Sequence, residues 1–302
     1  MLMTFPDQTN TRFAPGRRPR YLSELPEAER LLLSGISPRM WRVLDWLAMG
    51  GVMTGEQLAV HRRDLQRYAE KRLVKRLPIP PNEVYIELER LGWQFSGSQE
   101  NVSIYALGDI GREIVSGRHR RPPLSGYEKY TLSRILHDVA VNEIVLRLAY
   151  LARERGWQVR WLGTNECELL DQKIQILEPD SLLILNHEER EIALAIEYHN
   201  EKGKTERARD KVIRYERTVD QEELWFSLWE VEQFPKVLVV FHDDVVVRGY
   251  LEEIRARGGT KAFYFGKRLS GLFDKQRLPL WRNIASRQVE EIIPQVRDRF
   301  GG

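Results

Sequence analysis

Residues 136–143 read LHDVAVNE, 178–185 read EPDSLLIL, 195–200 read AIEYHN and 211–215 read KVIRY, and this succession decides the fold. The spacing predicts a helix carrying Glu143, a strand opened by Pro179 and Asp180, a second strand closing on Glu197, and a basic helix beginning near Lys204. Proline suits the first position of a strand, before the ladder needs the N–H it lacks. The apolar runs 181–185 and 192–196, separated by the polar turn 186–189, predict a hairpin that sets Asp180 beside Glu197 at the sheet edge. Glu143 is expected as a third carboxylate there. Two carboxylates at neighbouring strand ends can share a hard cation such as Mg²⁺, which neutralises phosphodiester charge and lowers the pKa of an attacking water. Asp180 and Glu197 are therefore the expected metal ligands.

Downstream, apolar strands are expected at 236–242 and 261–266 with a helix between them. With the long helix 127–155 and strands at 157–162, 181–185 and 191–197, the order is αβββαβαβ. Lys211 and Tyr215 share one face of the helix 204–218, and Tyr215 is read as packing. The aromatic run Trp225, Phe226, Trp229 reads more readily as core than as a partner-binding patch.

Upstream, Pro38 starts a helix whose Met40, Val43, Leu44 and Leu47 recur at helical spacing until Gly50 and Gly51. Thr54 and Gln57 form the signature of a capping box. An amphipathic helix is expected over 61–77, with Leu65, Ala69 and Leu73 on its apolar side. Arg62, Arg63, Arg67, Lys71, Arg72, Lys75 and Arg76 load the rest. A further helix ends at Gly92, followed by a strand at 93–95, a polar tip and a strand at 102–107. Residues 1–36, with clustered arginines and Pro6, Pro15 and Pro19, read as a basic flexible arm, and the run 118–123 as a linker.

The order of helix-borne Glu, Pro-Asp, a strand-ending Glu and a helix with Lys and Tyr resembles the PD-(D/E)XK restriction-endonuclease-like superfamily. LHDVAVNE followed by PDSL and IEYHN more narrowly resembles the replication-relaxation family of plasmids and mobile elements. In active nucleases of the superfamily, a Lys two positions after the Glu orients the water or stabilises transition-state charge. Here that position is His199, and Lys211 on the next helix is the candidate replacement. On the same resemblance, His137 and Glu143 face the sheet edge. Read from the residues, His137 and Asn142 are interior polar groups pinning the long helix to the sheet. The family resemblance implies a role in plasmid replication or DNA relaxation, beside a replication, mobilisation or transposition protein, with Mg²⁺ required only for an active site. Nuclease activity is not a defining property of the family.

Residues 37–118 resemble a winged helix-turn-helix, with the helix before Gly92 as recognition helix and 96–101 as wing tip. That helix carries Glu83, Glu87 and Glu89 against Arg90, which suits a DNA groove poorly. The segment 62–76 is the better phosphate binder, with Arg90 as a further contact. The expected fold class is therefore α+β in two domains, each with its own core: a winged helix at 37–118 and a PD-(D/E)XK-like α/β domain at 119–302.

Bulk properties narrow the function classes. Residues 1–129 carry 20 of the 47 Lys and Arg but only 15 of the 44 Asp and Glu, so the positive excess lies in the N-terminal part. A lone cysteine, Cys167, rules out an intramolecular disulfide and a multi-thiolate zinc site. No apolar run approaches the roughly 18 to 20 residues of a membrane span, and no signal-peptide core follows the N-terminus, so a cytoplasmic protein is expected. The sequence therefore points to a DNA-binding accessory protein with a degenerate nuclease fold. The alternatives are an active Mg²⁺-dependent endonuclease of a transposition or defence system, and a winged-helix transcriptional regulator acting as a homodimer.

Overall fold

The computed structural model describes residues 26–93, 102–119, 121–172, 174–200 and 205–296. Residues 1–25 of the expected arm, the strand after Trp93 and the wing tip at 96–101 lie outside them.

The N-terminal unit opens with α1 (Glu27–Ser34) and α2 (Pro38–Gly50). Ser37 accepts the Met40 N–H at 3.3 Å, and Pro38 sits in the first turn, where an N–H would have no helical partner. After β1 (Val52–Thr54), Thr54 and Gln57 form the expected capping box, with bonds of 3.1 and 3.0 Å, and start the one-turn α3 (Gly55–Leu58). Next come α4 (Arg62–Glu70), β2 (Val74–Arg76), α5 (Pro81–Arg90), β3 (Ile104–Leu107) and α6 (Asp109–Ser116). The strands pair antiparallel in the order β1-β3-β2.

The single helix expected over 61–77 is in fact a helix and a strand. Arg72 adopts a left-handed φ of 56°, and the Leu73 N–H returns to the Tyr68 carbonyl at 2.9 Å, which closes α4. Val74, Lys75 and Arg76 then find strand partners in Leu107, Ala106 and Tyr105. Gly108 lies so close to the Arg72 carbonyl that any Cβ there would collide with it. Leu65, Leu73 and Leu77 satisfy a helical spacing, but long-range pairing overrides that local signal. The helix expected before Gly92 is α5, inserted between β2 and β3 with Val84 and Leu88 buried, and the two helices joined by a short turn are α3 and α4.

The second unit begins with the long α7 (Leu132–Glu154), N-capped by Thr131. Then follow β4 (Gln158–Leu162), α8 (Thr164–Cys167), the small hairpin β5 (Leu169–Asp171) and β6 (Ile174–Leu177), β7 (Ser181–His187) and β8 (Arg190–His199). The chain continues through α9 (Glu206–Val219), α10 (Glu222–Trp229), β9 (Lys236–Phe241), α11 (Asp244–Ala256), β10 (Tyr264–Arg268), β11 (Leu280–Asn283) and β12 (Val289–Glu291). Seven strands form one mixed sheet, ordered β12-β11-β10-β9-β8-β7-β4. β7 and β8 make the expected hairpin, in register from Ser181 opposite Ile196 to His187 opposite Arg190. The parallel pairs β8–β9 and β9–β10 need crossovers, supplied by α9 with α10 and by α11.

One sheet face is covered by α9, α10 and α11, with Val212, Tyr215 and Tyr250 packed in the same layer as Ala195, Val237 and Val239. Trp225 and Trp229 belong to this core, whereas Phe226 is exposed. On the opposite face Leu183, Leu194 and Leu238 pack with α7, and that layer runs unbroken into Leu44, Leu47, Val52 and Leu65. Instead of enclosing separate cores, the two units share α7 as a common wall. Buried polar contacts fix the join. Asn142 donates to the carbonyls of Gly50 at 2.9 Å and Val52 at 2.6 Å, and Gln57 donates to the Val139 carbonyl at 2.8 Å. Asn142 thus pins α7 to the N-terminal unit and not to the sheet.

Replacing Asn142 with Ala strands two interior carbonyls. The expected loss is about 2–3 kcal/mol of unfolding free energy, read by denaturant titration. Both units should unfold in one transition, reported identically by tryptophan fluorescence and by far-ultraviolet circular dichroism.

Candidate functional site

The end of β8 and the approach to β7 bring Asp180, Glu197, Lys211, Tyr215 and His137 together. Asp180 precedes β7 by one residue; its N–H donates to the Ile196 carbonyl at 3.1 Å, and its Oδ2 accepts the Tyr198 N–H at 2.8 Å. Glu197, two residues before the end of β8, is almost fully buried. Its Oε2 lies 2.6 Å from Lys211 Nζ, and its Oε1 accepts the Tyr215 hydroxyl at 2.8 Å. Lys211 also donates to the Glu178 carbonyl at 2.8 Å. Lys211 and Tyr215 are one turn apart on α9, so a single helix face supplies both contacts to Glu197. From α7, His137 Nε2 stands 3.5 Å from Asp180 Oδ2 and 3.2 Å from the Tyr198 carbonyl, while Nδ1 is 3.2 Å from Asp138.

Two expected members are elsewhere. Glu143 lies six residues beyond His137, which at 3.6 residues per turn rotates it by roughly a third of a turn, away from the sheet edge. It pairs with Arg147 at 2.7 Å and accepts from Gln57 at 3.3 Å, at the join between the units. His199 shares the Glu197 side of β8 but runs on toward α11, where Nε2 is 3.1 Å from the Tyr250 hydroxyl. Its ring meets that tyrosine edge-on at 5.7 Å. Tyr215, read from the sequence as packing, is buried and also a hydrogen-bond donor to the site. Its spacing from Lys211 was the signal that could have revealed this.

The expected DNA contacts divide into two places. Arg62, Arg63 and Arg67 are exposed on α4, Lys71 and Arg72 on the turn that follows, and Lys75 and Arg76 on β2. Some are already paired: Arg72 with Asp109 and Glu27, Arg67 with Asp64 at 3.5 Å, and Lys75 with Glu128 at 3.6 Å. Arg90 is on α5, paired with Glu87 at 2.6 Å, and lines a cleft of about 550 Å³ with Ser133, Asn200, Arg207 and His242.

A sequence model described as replication-relaxation matches residues 44–225, from α2 through the start of α10. The chain belongs to the replication-relaxation family. No curated protein and no solved structure matches it. The family match covers α4 and all five residues of the carboxylate site, and it ends before β9.

Within this replication-relaxation unit, opposed charges govern the site. Burial disfavours the imidazolium of His137, yet Asp180 and Asp138 outweigh it and push its pKa up to about 10. Burial likewise opposes ionisation of Asp180, but His137, Lys211 and the Tyr198 N–H hold its carboxyl well below the usual range. Glu197 is pushed up by burial, against Lys211, and Lys211 is held above its ordinary value by Glu197 and Asp180 despite its own desolvation. Asp180 and Glu197 thus face two resident cations. A Mg²⁺ ion needs oxygen donors at about 2.0–2.1 Å in near-octahedral array. Both Glu197 oxygens and one Asp180 oxygen are already committed, and among the described residues no three His, Cys, Asp or Glu side chains are grouped to hold a metal. In this arrangement the residues do not fit the metal.

A histidine whose pKa is raised on folding contributes stability that is complete below its unfolded value and disappears as pH rises through its folded value. For His137 that window runs from 6.5 to about 10. His119 contributes over a similar range: burial opposes its charge, but Asp45 and Glu166 raise its pKa to about 9. Wild type should lose thermal stability progressively across this window in a melting series. His137→Gln should flatten the decline, and His137→Gln with His119→Gln should flatten it further. An unchanged slope in the double variant would refute the assignment.

Proposed function

We propose that this chain is a DNA-binding accessory protein of a plasmid or other mobile element, acting at replication or relaxation of DNA. In this reading the N-terminal unit grips duplex DNA and the nuclease-like unit binds without cutting. Family membership supports the replication context, and no helix among the described residues is long and apolar enough to cross a membrane.

The observation that carries the DNA-binding reading is the position of α4. The succession α2, β1, α3, α4, β2, α5, β3, with strands ordered β1-β3-β2, supports a winged-helix reading with α5 inserted between its last two strands, and in that reading α4 is the recognition helix. It is also the element whose exposed face carries Arg62, Arg63 and Arg67. The acidic α5 occupies the wing connection, so its Glu83, Glu87 and Glu89 need not enter a groove. In the second unit the sheet, the Asp180–Glu197 pair and the helix-borne Lys211 support kinship with PD-(D/E)XK nucleases. His199 in the lysine position and the occupied carboxylates favour a site that no longer cleaves. The proposed partners are DNA and a replication or mobilisation protein.

Two measurements test the proposal. Replacing Arg62, Arg63, Arg67 and Lys71 with Ala should weaken duplex binding and reduce the dependence of log K on log salt by about 0.9 for each phosphate no longer neutralised. An unchanged salt slope in a folded variant would assign those charges to solvation. Supercoiled plasmid with Mg²⁺ or Mn²⁺ should remain uncut by wild type. Nicking that disappears in both Asp180→Ala and Lys211→Ala would instead establish an endonuclease using the displaced lysine.

A further inference from the structure

We infer that the cleft between α5 and the carboxyl ends of β8 and β9 receives one unstacked nucleotide of single-stranded DNA, its phosphate on Arg90 and Arg207 and its base against Leu132 and Leu136. The inference rests on the reading of the chain as a DNA-binding protein and adds a second DNA site, apart from the duplex contacts assigned to α4.

Segments distant in sequence build the cleft. β8 and β9 run parallel, so both end at one edge of the sheet, the edge at which open α/β sheets take their ligands. Asn200 and His242 follow directly on those ends, and the His242 N–H donates to the His199 carbonyl at 3.2 Å, which holds the two strand ends together. Arg207 stands in the first turn of α9, the helix that follows β8. α7 contributes Leu132 and Leu136, and α5 contributes Glu87 and Arg90. The recess measures about 550 Å³, within the roughly 300–1,000 Å³ of small-ligand sites, and so has room for a base and sugar besides a phosphate.

Its chemistry divides in the way a nucleotide does. Arg90 and Arg207 offer planar guanidinium forks that match phosphate oxygens. Glu87 engages Arg90 at 2.6 Å through one of its five N–H donors, which leaves the fork able to reach a second anion. The leucines give an apolar wall for the face of a base, and the Asn200 amide, both donor and acceptor, suits its hydrogen-bonding edge. His242 adds a ring on which a base can stack. A duplex keeps its bases stacked and paired inside, so it cannot offer one to a recess. A single strand can, because its bases splay out and are held one at a time. Glu87 offsets part of the cationic charge, so binding here depends on the base as well as on the phosphate.

The test is fluorescence anisotropy of the full-length chain with three probes: an oligothymidylate of about 12 nucleotides, an abasic strand of equal length, and a duplex. Wild type is expected to bind the oligothymidylate about tenfold more tightly than the abasic strand. Arg90→Ala combined with Arg207→Ala should weaken oligothymidylate binding about tenfold and lower its salt slope by about 0.7 for each phosphate released, with duplex affinity unchanged. Both arginines are exposed, so the fold should survive, as a melting curve will show. Asn200→Ala should narrow the gap between the two single strands and leave the abasic strand unaffected. Glu87→Gln, which releases Arg90, should tighten binding of both. The inference is overturned if the folded double arginine variant binds oligothymidylate as wild type does, if it loses duplex and single strand equally, or if the abasic strand binds as well as the oligothymidylate. Wild type that binds duplex but neither single strand would also overturn it and leave the α4 reading intact. Single-strand binding by the cleft without duplex binding would do the reverse.

Discussion

Burial of α7 on both of its long sides is the constraint on which the molecule depends. One side packs in the layer that contains the sheet residues Leu183 and Leu194, and the other meets α2 and β1, so the polar residues buried on those sides must find partners inside. Each partner it finds has a structural consequence. Asn142 takes the carbonyls that flank the end of α2, and Glu143 receives Gln57 and Arg147. His137 takes the Tyr198 carbonyl and faces Asp180. The same helix therefore fixes the join between the units and one wall of the carboxylate site.

Close backbone approach reinforces that join. A side chain at Gly163, the residue that caps the start of α8, would collide with the Met49 carbonyl at the end of α2. Charges span the same seam: His119 lies between Asp45 and Glu166, Arg118 reaches Asp45 at 3.2 Å, and Arg121 pairs with Glu168. Partly buried pairs of this kind hold orientation better than they add stability. The result is an N-terminal unit held against the second unit, with Arg62, Arg63 and Arg67 exposed on α4.

The carboxylate site follows from the same economy of burial. Two acidic groups cannot be enclosed at adjacent strand ends without cations close by. In this chain the cations come from α7 and α9, as His137 and Lys211. That choice ties the integrity of the site to the packing of two helices.

Much of this was legible in the sequence. Strand-length apolar runs around a polar turn specify the β7–β8 hairpin, and because strand periodicity is two, the register that pairs Ser181 with Ile196 follows from which residues are apolar. Thr54 and Gln57 announce a helix start by purely local hydrogen bonding. The adjacency of Asp180 and Glu197 was likewise local, a property of one hairpin. What the sequence could not decide was anything that depends on the rotation of a helix or on a distant strand. Glu143 carries the right chemistry on the right helix, but six positions of helical twist turn it to the other unit. Residues 72–77 carry a helical spacing and become a turn and β2 because β3, some thirty positions away, offers them hydrogen bonds. His199 occupies the place where a catalytic lysine is looked for, and Tyr250 draws it into the core, while Lys211 arrives from another element to pair with Glu197. Sequence pattern determines elements whose reasons lie within a few residues. Which charge meets which was settled only when burial forced groups from separate elements to satisfy one another.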